Sequence, residues 1–402
     1  MPPLTSEIIN GNIDKAVSSK VYDDFIVKLL NELTSNPNFD PNIEFDPSKH
    51  IIFNSETDFD KYKVTTLSDI SIEHDEAISN CAFTPAFPLF SEEAIDIMRY
   101  ELFQEKVFKQ YGRAANLTRF KGLDVQIGGY THLTPFTAKA LTHEKTMEVL
   151  NKYAGLELQV MMPFELGSIN FGIKPYERVE DEKKNKEIYL AKNAKAFDKD
   201  ADFVRGWHHD SNSFSFILMM SDTKDMIGGE TALKTGNGEI LKIDNYEKGW
   251  ASLVQAHCIN HIALKPYCSV ERITSVTSYR AKDSLHMDPT VITTIKPSIF
   301  PRTIYNTFYP EWMDYRLDVM GEKIAWLRRK VAQDRENHRD FNQIEMINYL
   351  EDLTTYIRGS WREFEAVDEG HIEQPPLRRY IRNWAHNDRD LSSAIYNFEY
   401  EK

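Results

Sequence analysis

The stretch RGWHHDSNSFSFILMM, beginning at Arg205, sets two histidines and an aspartate side by side ahead of an apolar run. Imidazole and carboxylate are metal ligands and proton carriers, so the first question is which of these residues can act together. In an extended segment residues i and i+2 face one side while neighbours face opposite sides. That parity selects His208 with Asp210 and turns His209 away, toward solvent or a supporting role. A third ligand is needed to hold a metal and still leave positions open. The segment KGWASLVQAHCINHIALKP, from Lys248, offers His257 and His261. His257 closes the apolar run ASLVQA and reads as a packed strand-end histidine. His261 sits in the next short extended piece, INHIAL, and is the preferred ligand, with His257 left open as the alternative.

Two imidazoles and one carboxylate on one face of a metal make the triad suited to non-haem iron(II), with the remaining positions free. A second group belongs to the same chemistry. In ERITSVTSYR, Arg272 and Thr274 share a strand face. A guanidinium grips a carboxylate through two parallel charge-assisted hydrogen bonds, and a neighbouring hydroxyl adds a third. Arg280 has the same parity but lies roughly 25 Å from Arg272 at about 3.3 Å per residue, too far to share one small ligand. Asn170 in GSINFGI and Thr231 after the glycine pair Gly228–Gly229 are further candidates to reach a bound diacid. Phe214, Phe216 and Leu218 alternate on one strand face and are read as lining a substrate cavity, with core packing as the alternative.

These side chains need a scaffold of strands. Short β-rich runs appear from about Gly122 onward between turn signals: LDVQI, LELQVMM, SINFGI, SFSFILMM, ASLVQA and RITSVTSY. Such a series implies a sandwich or barrel. The chain divides into a mainly helical region (1–115), a β core (116–305) and a helical region (306–402), an α+β arrangement with helices flanking the core at both ends. Helices are expected over DKAVSSKVYDDFIVKLLNEL and SEEAIDIMRYELFQEKVFKQYG, with Ser91 as the N-cap of the second. Near the C-terminus Ile347, Leu350, Leu353, Ile357 and Trp361 recur at spacings of three and four. That stripe packs on the core or forms the seam of a homodimer. The charged run from Lys174 to Asp202 reads as a solvated insertion or a lid, and EGHIEQPPLRRYIRNWAH as an irregular strap.

Composition narrows the function. A chain of 402 residues with 41% hydrophobic content can bury a large core. A net charge of −14 disfavours nucleic acid and anionic membrane surfaces, leaving a small molecule as the expected partner. No apolar segment approaches the roughly 20 residues of a membrane helix, and MPPLTSEIINGN has no signal-peptide pattern, so a cytoplasmic location is expected. Cys81, Cys258 and Cys268 form no CxxC pair and are assigned to packing.

Taken together, His208, Asp210, His261, Arg272 and Thr274, with GGETAL between them, resemble the Fe(II)/2-oxoglutarate-dependent dioxygenase superfamily. Over about Leu156 to Asp283, the stretches WHHDSNSFSFILMMSDT, IGGETALKTGNGE and ERITSVTSYR are similar to a group of fungal oxygenases of secondary metabolism, which includes the aziridine-forming enzyme of tryptoquialanine biosynthesis. The resemblance implies a double-stranded β-helix, a jelly-roll or cupin-like core with the metal at its open end. It implies iron(II), 2-oxoglutarate and O2 as the reagents, with the far carboxylate of 2-oxoglutarate on Arg272 and Thr274. The expected outcome is oxidation of an unactivated C–H bond by hydroxylation, desaturation or ring closure, with release of succinate and CO2. An amino acid or other small polar metabolite is the expected substrate. Two rival readings are a cupin-like metal enzyme that uses no 2-oxoglutarate and a non-catalytic binding scaffold.

Overall fold

The computed structural model describes residues 4–114, 123–194 and 206–367. Its thirteen strands are β1 (Thr65–Thr66), β2 (Cys81–Phe83), β3 (Phe87–Pro88), β4 (Gly112–Ala114), β5 (Leu123–Ile127), β6 (Leu158–Val160), β7 (Ser168–Ile173), β8 (Phe214–Met219), β9 (Thr231–Lys234), β10 (Ile240–Ile243), β11 (Trp250–Val254), β12 (His261–Ala263) and β13 (Glu271–Ala281). All pairings among them are antiparallel. The larger sheet runs β1-β2-β11-β8-β13-β7-β5-β4, with β3 on β11 and β6 on β13. A smaller sheet runs β10-β9-β12 and is extended by an isolated bridge between His208 and His261.

The eleven-residue β13 is the axis of the larger sheet. Its alternation of Ile, Val and Tyr with Thr and Ser fits a strand wedged between two neighbours. Thr274 is opposite Met219 of β8 on one side and Asn170 of β7 on the other, and Ser278 is opposite Ser215. The outer face of this sheet carries the main core. Phe171, Phe214, Phe216, Leu218, Ile273 and Tyr279 pack there with Leu102 and Phe108 from the helices Glu92–Leu102 and Glu105–Tyr111 and with Phe103, the C-cap of the first. Ser91 caps the first of these, its hydroxyl accepting from the Ala94 N–H at 3.3 Å. The inner face, discussed below, is mostly polar, with Ile217 and Val276 among its residues.

The helices Tyr305–Glu336 and Gln343–Trp361 form a second core with Phe164, Ile292 and Ile295. The seam of the last helix shares Leu353 with the apolar stripe read in the sequence but otherwise lies one position away from it. Tyr349, Leu353, Tyr356 and Ser360 are buried, whereas Leu350 and Ile357 are exposed. The reason is polar: Tyr356 donates to Asp288 at 2.6 Å and Ser360 accepts from the Arg316 Nε at 2.9 Å, so hydroxyls occupy the packed face. Within the charged run expected to be solvated, Tyr176–Lys184 and Lys186–Ala194 are helices. The first is anchored by a buried Lys174–Glu182 ion pair at 2.6 Å. The rest of that run and the tail EGHIEQPPLRRYIRNWAH lie outside the described residues. No described helix is long and apolar enough to cross a membrane.

Candidate metal centre

The two sheets face each other across a cavity of about 160 Å³. Its larger-sheet wall consists of alternate residues: Gln126 of β5, Ser168 and Asn170 of β7, Ser215 and Ile217 of β8, and Arg272, Thr274, Val276 and Ser278 of β13. Thr231, His261 and Ala263 come from the smaller sheet, and Thr294, Ile295, Phe300 and Arg302 from the connection that follows β13.

His208 and His261 are 53 positions apart, and a two-way backbone exchange brings them side by side. His208 N–H donates to the His261 carbonyl at 3.1 Å, and His261 N–H to the His208 carbonyl at 2.9 Å. Their rings lie 4.4 Å apart. Each Nδ1 lies against a carbonyl, that of Gly206 at 2.8 Å for His208 and of Ile259 at 3.0 Å for His261. A carbonyl can only accept, so Nδ1 carries a hydrogen, and in the neutral ring Nε2 has the lone pair a metal would take. The two Nε2 atoms stand 3.5 and 3.6 Å from Oδ1 of Asp210. One ligand atom from each of the three residues falls within 4.8 Å of the others. The other carboxylate oxygen, Oδ2, accepts from the Ser215 hydroxyl at 2.5 Å. Burial alone would raise the Asp210 pKa. When protonated, the His261 and His208 rings, together with the Ser215 hydroxyl, outweigh it and hold the carboxyl well below the usual range; a divalent metal would take the place of those two Nε2 protons. An ionised carboxylate between two Nε2 lone pairs fits a divalent transition metal.

Arg272 enters the cavity from β13. Its Nε and Nη2 donate to the Gly229 carbonyl at 3.0 and 2.7 Å, and Nη1 lies 3.5 Å from the Thr274 hydroxyl. Among the described residues, its remaining N–H groups have no hydrogen-bond partner and could receive a carboxylate. The glycine pair explains itself here. Gly228 and Gly229 have φ of +78° and +81°. A Cβ on Gly228 would sit 2.2 Å from the Lys265 carbonyl, and one on Gly229 would sit 3.1 Å from the Arg272 Nε. Only the paired glycines let this turn reach the guanidinium. Burial lowers the Arg272 pKa, partly offset by Tyr246, Glu230 and Asp124 nearby.

Asn170 and Thr231 line the same cavity, and Gln126 donates its amide to Asn170 Oδ1 at 3.4 Å. Phe214 and Phe216 do not line it. Their rings are fully buried on the outer face against the helices, so the reading of them as substrate contacts is corrected: Ser215 and Ile217 point inward instead. Arg280 is remote from the cavity, stacked over the Tyr315 ring at 4.8 Å. His209 is exposed, its Nδ1 on the His257 carbonyl at 3.0 Å. His257 is not among the converging ligands, since its ring nitrogens lie against the Asp210 carbonyl at 3.1 Å and Glu76 at 3.0 Å.

A buried ion pair that sequence reading missed forms part of the cavity wall. Arg302 Nη2 donates to both oxygens of Glu165 at 2.9 and 3.0 Å, and Ser278 Oγ donates to Glu165 at 3.0 Å. Glu165 is 2% and Arg302 4% exposed. The connection carrying Arg302 is tied to the ligand segment, with Val291 N–H on the Ser211 carbonyl at 3.0 Å and Ser211 Oγ against Thr294 Oγ1 at 2.8 Å. Behind it, Asp288 accepts from Tyr315 and Tyr356 and pairs with Arg316 at 3.5 Å.

Neither a family model nor the sequence of a curated protein matches the chain. Among solved structures, it is similar to an oxidoreductase of the 2OG-Fe(II) oxygenase family from Burkholderia pseudomallei, at 12% identity and a TM-score of 0.30, over 42% of this chain and 72% of that one. A Pseudomonas putida prolyl-4-hydroxylase aligns at 11% identity and a TM-score of 0.33, over 54% of this chain and 97% of the other. The non-heme alpha ketoglutarate dependent epimerase SnoN from nogalamycin biosynthesis aligns at 9% identity and a TM-score of 0.25, over 41% of this chain and 65% of that one.

Proposed function

We propose that this chain is an iron(II)- and 2-oxoglutarate-dependent oxygenase acting on an unactivated C–H bond of a small polar metabolite. The observation that carries the reading is convergence on one cavity: the His208, Asp210 and His261 donors, and the Arg272 guanidinium beside Thr274. A metal enzyme without a diacid cosubstrate has no use for a buried, carbonyl-braced guanidinium in that wall, and an inert scaffold has no use for either group. In this reading the two facing sheets are those of a double-stranded β-helix.

His208 Nε2, His261 Nε2 and Asp210 Oδ1 would hold iron(II), with Ser215 keeping Oδ2 engaged so that the carboxylate binds through one oxygen. Arg272 and Thr274 would hold the far carboxylate of 2-oxoglutarate, with Asn170 and Thr231 flanking it. Bound together, iron and 2-oxoglutarate supply from O2 the oxidising power that breaks a C–H bond, with succinate and CO2 as coproducts. The protein's own tasks are to orient the reacting C–H and to exclude water from the reacting centre. The Glu165–Arg302 pair supports an amino acid as substrate. A carboxylate and a guanidinium held together in the wall offer complementary partners to an ammonium and a carboxylate of one small molecule.

The test is anaerobic addition of iron(II) and 2-oxoglutarate to the folded protein. A visible charge-transfer band is expected from the chelate, lost in His208→Ala. Absence of the band in protein that binds iron removes 2-oxoglutarate from the account. Succinate release across an amino-acid panel then separates the substrate classes.

A further inference from the structure

Asp210 is held by more than its metal-facing neighbours. Its N–H donates to the Ala256 carbonyl at 3.0 Å, its carbonyl meets His257 Nδ1 at 3.1 Å, and its Oδ2 accepts from Ser215 at 2.5 Å. Oδ1, the oxygen closest to both ligand imidazoles, is the atom this arrangement leaves for a metal. The His257 ring is itself fixed from the far side by Glu76 Oε2 on Nε2 at 3.0 Å. His209 closes the circle from its exposed side, Nδ1 on the His257 carbonyl at 3.0 Å.

Glu76 reaches His257 from a segment that the β11 end holds in register. Gln255, fully buried, accepts from the Ile78 N–H at 2.8 Å and donates to the Ser79 and Cys81 carbonyls at 3.0 and 2.6 Å. A packed strand-end histidine would need neither the carboxylate nor the ligand's carbonyl. Here both ring nitrogens are used, one of them on the main chain of a metal-site residue 47 positions earlier.

We propose that Glu76 and His257 are positioning residues for Asp210: Glu76 fixes the His257 ring, and the ring fixes the Asp210 peptide, so that Oδ1 alone faces the metal. The inference rests on the iron-site reading above. Loss of an outer partner of a metal ligand typically weakens metal binding by about 10- to 100-fold. Glu76→Ala is therefore expected to raise the Co(II) dissociation constant by about tenfold and to alter the visible Co(II) spectrum. The Glu76 side chain is 39% exposed, so its truncation leaves no buried void. Glu76→Gln puts an amide, able to donate or accept, back against His257 Nε2 at unchanged length and is expected to return the affinity to within about threefold of wild type.

The experiment is a Co(II) titration of wild type, Glu76→Ala, Glu76→Gln and His208→Ala, followed by visible absorption, with thermal unfolding to confirm that each is folded. A Glu76→Ala affinity within about twofold of wild type, or no recovery in Glu76→Gln, overturns the relay while leaving the iron site standing. If wild type and His208→Ala take up Co(II) equally poorly, the iron-site reading fails and the relay fails with it.

Discussion

Replacing Arg272 by methionine should separate cosubstrate binding from both metal binding and folding. The guanidinium spends its Nε and one Nη2 hydrogen on the Gly229 carbonyl and rests beside Thr274, which leaves two N–H groups for one carboxylate. Truncating one partner of a buried, hydrogen-bonded charge pair costs about 2–5 kcal/mol. At about 1.4 kcal/mol per tenfold, the dissociation constant for 2-oxoglutarate should rise at least about 30-fold. Folding should suffer less, because Arg272 is 8% exposed and its charge is already disfavoured by burial, so an apolar side chain of similar volume relieves that cost while giving up the bonds to Gly229. Arg272→Lys should fall between, since an ammonium keeps charge but lacks the planar fork. The assay is anaerobic titration of iron-loaded protein with 2-oxoglutarate, with iron affinity measured in parallel. An Arg272→Met protein that binds 2-oxoglutarate within threefold of wild type, with iron binding intact, refutes the anchor assignment.

Phe216→Ala should cost about 3–5 kcal/mol of stability without changing which substrates are turned over, because the ring lies in the core behind the cavity; thermal unfolding and a substrate panel check both halves. Asp288→Ala leaves Arg316 buried without its carboxylate and should destabilise by about 3–5 kcal/mol, read as a lower unfolding midpoint in denaturant. Lys323, 2% exposed, has its pKa pushed down to about 8 by burial. Between about pH 8 and the ordinary lysine value near 10.4 the unfolded chain binds more protons than the folded one. The cost of burying the charge is therefore complete below pH 8 and is relieved as pH rises through that window. Lys323→Met should remove this rise, seen as a wild-type-minus-variant difference in unfolding free energy that increases from pH 7 to pH 10.

The residues that converge on the cavity were legible because strand parity is a local rule. His208 and Asp210 are placed by their i, i+2 spacing, and Arg272 and Thr274 by theirs, without reference to the rest of the chain. The choice between His257 and His261 was a different kind of question. It depends on a register, the bridge that sets His208 against His261, and register is fixed by pairings that no single segment encodes. The helical seam near the C-terminus was legible only at Leu353, for another reason. Its packed face contains Tyr349, Tyr356 and Ser360, so hydropathy points to the adjacent exposed stripe of Leu350 and Ile357. Glu165 and Arg302 gave no sequence signal at all, since they are 137 positions apart and neither sits in a patterned run.

The misplacement of Phe214 and Phe216 shows how the cavity is built. Strand β8 is buried on both faces, as its neighbours Ser215 and Phe216 at 2% and 0% exposure demonstrate, so alternation alone cannot say which face looks inward. Chemistry decides it. In the proposed reading this sheet face receives a divalent metal and a charged diacid, and it supplies them with hydrogen bonds that the β8 rings could not. The apolar residues are therefore left for the opposite face, where the helices cover them, and the serines face in. Ser215 then serves both requirements at once: it is small enough to leave room at the centre of the sheet, and its hydroxyl engages Asp210 Oδ2, the oxygen that in the proposed reading stays off the metal. In such a core the functional face of a strand is the one with the smaller, more polar residues, even where the larger aromatic ones attract attention first.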